Sequence, residues 1–269
     1  MFGVSESSPF DLNFRMLNAP VRITGWFWLI SIMIGGNHDP QGAVIWVFSV
    51  LVSILVHEFG HGLMARRFGH SFEVTLHGMG GVCTYDASHD STGQRLAVLA
   101  AGPFAQLLFL VFICVVFGGW MGLTAGSNLA LAQFLFGMTP DQTAAGNLFM
   151  AMREHQTAFE AYQDLFQINL LWPLLNLLPI WPLDGGQMAC ESLAHVNRRD
   201  GRRWGHILSL VTSGLFIIYI LYQARGEPGK DYFFRVIWFG FFGYLNYQVL
   251  QSYHARYRAY GPDNDGDWR

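Results

Sequence analysis

Charge is what this sequence has least of. Asp, Glu, Lys and Arg make up 13 % of its 269 residues, about half the quarter usual in soluble domains, against 52 % hydrophobic and 16 % aromatic residues. So few charges cannot cover the surface of a water-soluble globule of this length, and a mean hydropathy of +0.26 agrees. Lysine is nearly missing, with Lys230 the single example, and a net charge of −3 leaves no basic face for polyphosphate. Nucleic acid is thereby excluded as a partner. Cysteine is scarce as well: Cys83, Cys114 and Cys190 stand far apart with no CxxC pair, which excludes a disulfide scaffold and leaves three free thiols. The apolar stretch after Arg22 has no A-x-A-like exit, so no cleaved signal peptide is expected.

What is present is a series of long apolar runs. A spanning helix needs about 20 mostly apolar residues, and runs near 23–36, 43–65, 96–118, 164–182, 204–223 and 232–250 approach that measure. The expected fold is therefore an all-α polytopic membrane protein with about six transmembrane helices. The first run is the shortest, and Arg22 would have to snorkel at its edge. Arg15, Arg22, Arg66, Arg67, Arg95, Arg198, Arg199, Arg202, Arg203, Arg256, Arg258 and Arg269 fall on one side of this layout, and Arg153, Arg225 and Lys230 on the other. Basic residues accumulate in cytoplasmic loops, so the first group marks the cytoplasmic side. Residues 69–86 alternate Phe72, Val74 and Leu76, pass through Gly-Met-Gly-Gly at 78–81, and resume with Val82, Thr84 and Tyr85. That pattern predicts a short cytoplasmic-side β-hairpin. In the outer loop 119–163, Thr139-Pro140-Asp141-Gln142 predicts a helix start with Thr139 as the capping hydroxyl. The expected organisation is a cytoplasmic segment 1–22, a membrane core 23–195, two further helices within 196–253, and an acidic tail 254–269.

The chemistry lies in the second run. His57-Glu58-Phe59-Gly60-His61 is an H-E-x-x-H sequence, which this composition would produce by chance about 0.01 times. On a helix the two imidazoles project from one face and can bind one Zn²⁺, leaving Glu58 beside the water the metal activates. A glutamate inside a membrane helix is costly, so its default reading is functional. The third ligand has to come from elsewhere, since Met64 and Arg67 stand where the H-E-x-x-H-x-x-G-x-x-H extension needs Gly and His. Asp184 is the best candidate. It follows Asn176-Leu-Leu-Pro179-Ile-Trp-Pro182-Leu, where the prolines break the fourth run, and it precedes Gly185-Gly186, which permit a tight turn. Its carboxylate is expected on non-helical backbone lining a polar cavity. The Asn176 amide either assists an oxyanion or satisfies backbone freed by Pro173 and Pro179.

The HEFGH helix, Ala101-Gly102-Pro103 in the next run and NLLPIWPLDGG at 176–186 together resemble the site-2 protease family of intramembrane zinc metalloproteases, over roughly residues 20–195. The resemblance implies a three-helix catalytic core with one Zn²⁺ per chain, liganded by His57, His61 and Asp184. It implies Glu58 as the catalytic acid and base. The implied substrates are transmembrane segments of other proteins in the lipid bilayer. The positions of His57, His61 and Asp184 near the cytoplasmic ends of their runs put the site near the cytoplasmic leaflet, and the absence of a targeting presequence suits a multi-pass protein of a bacterial plasma membrane. The family's GPxxN pattern departs here, because Gln106 occupies the Asn position, and no PDZ-sized insertion or CBS-like domain is visible.

Other signals carry less. His70, His77 and His89 match no ligand template and read as solvent-facing. Ala97, Ala101 and Ala105 recur every fourth residue and predict close approach to the HExxH helix. The rival function is a non-proteolytic membrane protein that binds helical clients or ions in the same cavity, against which an intact HExxH with Asp184 argues.

Overall fold

A computed structural model describes residues 8–35, 39–226 and 232–260. Its first element is a departure from an all-helical fold: the chain opens with two strands, β1 (Leu12–Met16) and β2 (Ala19–Ile23). Leu17 and Asn18 between them take φ of 50° and 62°, the left-handed pair that a two-residue hairpin turn of type I′ requires. β2 then pairs in parallel with β3 (Phe72–His77), and β3 pairs antiparallel with β4 (Gly80–Tyr85), giving one sheet of order β1-β2-β3-β4. The strands at 72–85 therefore form half of a four-stranded sheet. β1 pairs with β2 across the adjacent turn, while β2 also needs β3, more than fifty residues away, to join the sheet, a partner that local alternation does not show.

The helices follow. α1 (Gly25–Ile34) has 10 residues and α2 (Pro40–Arg67) has 28. α3 (Thr92–Ile113) runs on through a π-helical turn at Cys114–Gly118. Next come α4 (Ala125–Leu135), α5 (Gln142–Glu154), α6 (Gln156–Asn176), α7 (Asp184–Val196), α8 (Gly201–Gly226) and α9 (Phe233–Tyr260). Among the described residues, three stretches are long and apolar enough to cross a membrane: Pro40–Arg67, Thr92–Gly118 and Gly201–Arg225. α1 is a shorter apolar helix; ten residues rise about 15 Å, half a hydrocarbon core. The first run is shortened because Ile23 belongs to β2.

Other expectations shift for local reasons. Asp141, not Thr139, caps α5, its Oδ1 accepting from the amides of Thr143 at 2.9 Å and Ala144 at 3.2 Å. The carboxylate is the stronger acceptor for the orphan amides of a first turn. α6 begins at Gln156 rather than near 164, and it passes through Pro173 before ending at Asn176. α9 continues to Tyr260, so 254–260 are helical, while the acidic residues 261–269 lie outside the described residues.

The chain divides into two compact units, Met1–His89 with Ala101–Leu174, and Asp90–Ala100 with Leu175–Arg269. In the first, one face of the sheet (Ala19, Val21, Ile23, Phe72, Val74, Leu76) packs on Phe27 of α1 and on Ile54 and Phe59 of α2. Each such aliphatic or aromatic side chain contributes about 1.5–3 kcal/mol on burial, so the sheet is anchored beside the HExxH turn. A second cluster joins Ile113, Leu131, Leu148, Phe159, Tyr162 and Phe166. In the second unit α7, α8 and α9 pack in succession. Gly205 of α8 lies against Cys190 of α7, where an added Cβ would come 2.9 Å from the Cys190 Cα.

Candidate metal centre

Asp39 caps α2 by accepting the Gly42 amide at 2.6 Å, with Pro40 in the first turn where its missing N–H costs nothing. The helix then carries His57, Glu58 and His61 into the interior, all three buried. Four residues apart, the two imidazoles share a face, and His57 Nε2 stands 3.1 Å from His61 Nε2. On the far side of the ring, His57 Nδ1 lies 3.0 Å from Gln106 Oε1. An amide oxygen only accepts, so Nδ1 carries the proton and Nε2 is the ring nitrogen turned toward His61. Two nitrogens each about 2.0–2.1 Å from one tetrahedral zinc lie about 3.3 Å apart. The observed pair suits that geometry.

Neighbouring elements hold this face open and in place. α3 runs so close to α2 that a Cβ on Gly60 would come within 2.6 Å of the Ala101 carbonyl oxygen and 2.8 Å of the Ala105 Cβ. Gly102 faces the His61 ring with no room for a side chain. Ala101 and Ala105 thus face the HExxH helix, as their spacing predicts. Gly81 of β4 lies against the Glu58 side chain in the same way. One turn before His57, the Asn169 amide of α6 donates to Ser53 Oγ at 2.8 Å, with both side chains wholly buried.

Asp184 lies in the second unit, buried, as the first residue of α7. It is helical, not on the irregular backbone expected for it. Gly185 and Gly186 are helical too: an added Cβ on the first would meet the Leu177 and Leu178 carbonyls, and on the second the Ile180–Trp181 peptide. They serve close packing rather than a turn. Asn176 closes α6 and is buried. Among the described residues, His57, His61 and Asp184 qualify as a metal-binding group. His70, His77 and His89 do not join one; His89 is exposed, but His70 and His77 are half-buried. Burial depresses the pKa of His77.

The residue that pattern reading left without a role is Gln106, fully buried and bonded to His57. Its signal was visible: an amide at the last position of the GPxxN pattern, one methylene longer than asparagine.

Residues 45–220 match Peptidase family M50, and the chain belongs to that family. It is 27 % identical over 246 residues to "Putative zinc metalloprotease Rip3" of Mycobacterium tuberculosis, covering 85 % of this chain and 52 % of that one. It is 28 % identical over 141 residues to stage IV sporulation protein FB of Bacillus subtilis, covering 52 % and 37 %. The chain thus spans about half or less of the length of these relatives. Its fold is similar to that of the site-2 protease from Methanocaldococcus jannaschii, with a TM-score of 0.51 at 16 % identity over 90 % of this chain and 95 % of that one. Family and apolar helices together support an integral membrane protein. Zinc is the metal supported by the family and by a donor set of two imidazoles and one carboxylate.

Proposed function

We propose that the chain is a zinc-dependent intramembrane endopeptidase that hydrolyses peptide bonds within or near transmembrane segments of other membrane proteins. The observation that carries this reading is the buried imidazole pair, its Nε2 atoms 3.1 Å apart and one ring oriented by Gln106, with Glu58 next to it on the same helix. His57 and His61 hold the zinc and Asp184 supplies the third ligand. When bound, the metal contributes Lewis acidity that polarises a carbonyl and makes water nucleophilic near neutral pH. Glu58 takes a proton from the water as its oxygen bonds to the scissile carbonyl carbon. It returns the proton to the nitrogen as the C–N bond breaks. The Asn176 amide donates to the carbonyl oxygen as negative charge develops there.

A helical substrate hides its carbonyls in its own hydrogen bonds, so cleavage needs an extended stretch. β4 is an edge strand, and its Gly81 touches Glu58. Strand addition along β4 brings an extended segment beside the general base. The reading includes six membrane segments, formed by α1, α2, α3, α6, α8 and α9. Arg66 and Arg67 at the end of α2 mark its cytoplasmic side, in a bacterial plasma membrane, with the active site in that leaflet.

Glu58→Gln tests the proposal. Purified variant should retain about one zinc per chain while cleavage of reconstituted membrane substrates falls to background. Cleavage at the parental rate would remove Glu58 from the chemistry.

A further inference from the structure

The stretch 177–183, between α6 and α7, is non-helical, yet it contains the fully buried Ile180 and is flanked by the buried Asn176 and Asp184, where unpaired backbone groups are costly. Two of its seven residues, Pro179 and Pro182, have no amide hydrogen to place. Short-range bonds account for part of the rest: Ile180 N–H donates to the Leu178 carbonyl at 2.7 Å, and Leu183 N–H to the Ile180 carbonyl at 2.9 Å. The Gln187 side chain donates to the Pro182 carbonyl at 3.0 Å.

Trp181 is treated differently. Both of its backbone groups are held by side chains from distant helices. Its N–H donates to Ser209 Oγ of α8 at 3.0 Å, and its carbonyl accepts from Asn246 Nδ2 of α9 at 2.7 Å. Each holder is itself saturated. The Ser209 hydroxyl gives its proton to the Gly205 carbonyl at 2.9 Å, which leaves its lone pairs for Trp181. The second Asn246 amide proton goes to the Phe242 carbonyl at 2.8 Å, and its oxygen faces His206 Nδ1 at 2.8 Å. Ser209 and Asn246 are wholly buried and His206 nearly so. A fully satisfied polar network of this kind admits one arrangement, because any rotation strands a buried donor or acceptor. Satisfying loose backbone would need only one partner per group from anywhere. Here the two peptide units that flank Trp181 are each held, one by Ser209 and one by Asn246, three residues before Asp184.

We infer that Ser209 and Asn246 are positioning residues for the metal centre: by gripping the Trp181 peptide they set the placement of the first turn of α7, and so of the Asp184 carboxylate. This rests on the reading of Asp184 as a zinc ligand. It gives α9, which begins at Phe233 and lies beyond the family match at 45–220, a part in the site. It also explains why the grip falls on Trp181, since Gly186 of α7 seats directly on the Ile180–Trp181 peptide.

The experiment is zinc competition against a chromophoric chelator, run on the full purified chain and its variants Ser209→Ala, Ser209→Thr, Asn246→Leu and Asp184→Asn, with kcat and KM measured alongside. Only protein eluting and melting as a folded species is scored. Ser209→Ala, which removes one oxygen, decides the matter if Asn246→Leu does not fold. Disturbed orientation of a ligand weakens metal affinity about 10–100-fold. Ser209→Ala and Asn246→Leu should show a loss of about tenfold or more, with kcat lowered and KM little changed. Ser209→Thr, which keeps the hydroxyl, should restore both. If Ser209→Ala binds zinc like the parent while Asp184→Asn does not, the grip is structural only and the inference is overturned. Parental affinity in Asp184→Asn would instead overturn the ligand assignment on which it rests.

Discussion

Gln106 Oε1 accepts the Nδ1 hydrogen of His57 at 3.0 Å, deep between α3 and α2, and so orients the ring with Nε2 toward His61. Replacing Gln106 with Leu keeps the volume and removes the acceptor. His57 then loses both orientation and tautomer, and zinc affinity should fall about 10–100-fold. Chelator competition on the folded variant measures this, and unchanged affinity would show that the bond does not tune the ligand.

Gly102→Ala separates helix propensity from site geometry. In an open helix the change stabilises by about 1 kcal/mol. Here the new methyl overlaps the His61 ring, and overpacking costs about 1–3 kcal/mol. The expected outcome is a lower melting temperature together with loss of zinc. A rise in melting temperature with zinc retained would mean that His61 moves aside freely.

Acid sensitivity should originate partly at Asp11. The Ser8 amide holds its carboxyl below the ordinary range against the opposing effect of burial, and the Arg22 side chain and Gly25 amide add to this. A carboxyl whose folded pKa is lowered contributes stability that is complete above its unfolded value of about 3.9. That contribution is lost as pH falls through the folded value. Asp11→Asn should therefore flatten the melting-temperature profile below about pH 4 relative to the parent. Parallel profiles would refute it.

Glu191 makes a useful contrast. It bridges Arg202 at 3.2 Å and Arg95 at 3.5 Å, but all three side chains are partly solvent-exposed. Screened pairs of this kind contribute about 0–1 kcal/mol, so Glu191→Gln should leave the melting temperature within a degree or two and zinc content intact. A large drop would reveal a role beyond the ion pair.

The amino-acid sequence by itself determined the ligand-bearing turn of α2, because the spacing of His57 and His61 becomes a shared face once the segment is helical, and helix formation there follows from local apolar content. The long apolar runs and the alternation of β3 were legible for the same reason: both are periodicities of contiguous residues. Only the tertiary structure decided that β1 and β2 extend the sheet, that Gln106 faces His57, and that Gly185 and Gly186 pack inside α7 instead of turning the chain before it. Each depends on a partner tens of residues away, or on a surface built by another segment. A pattern within one window carries no information about which distant group will complete a hydrogen bond or claim the space beside a glycine.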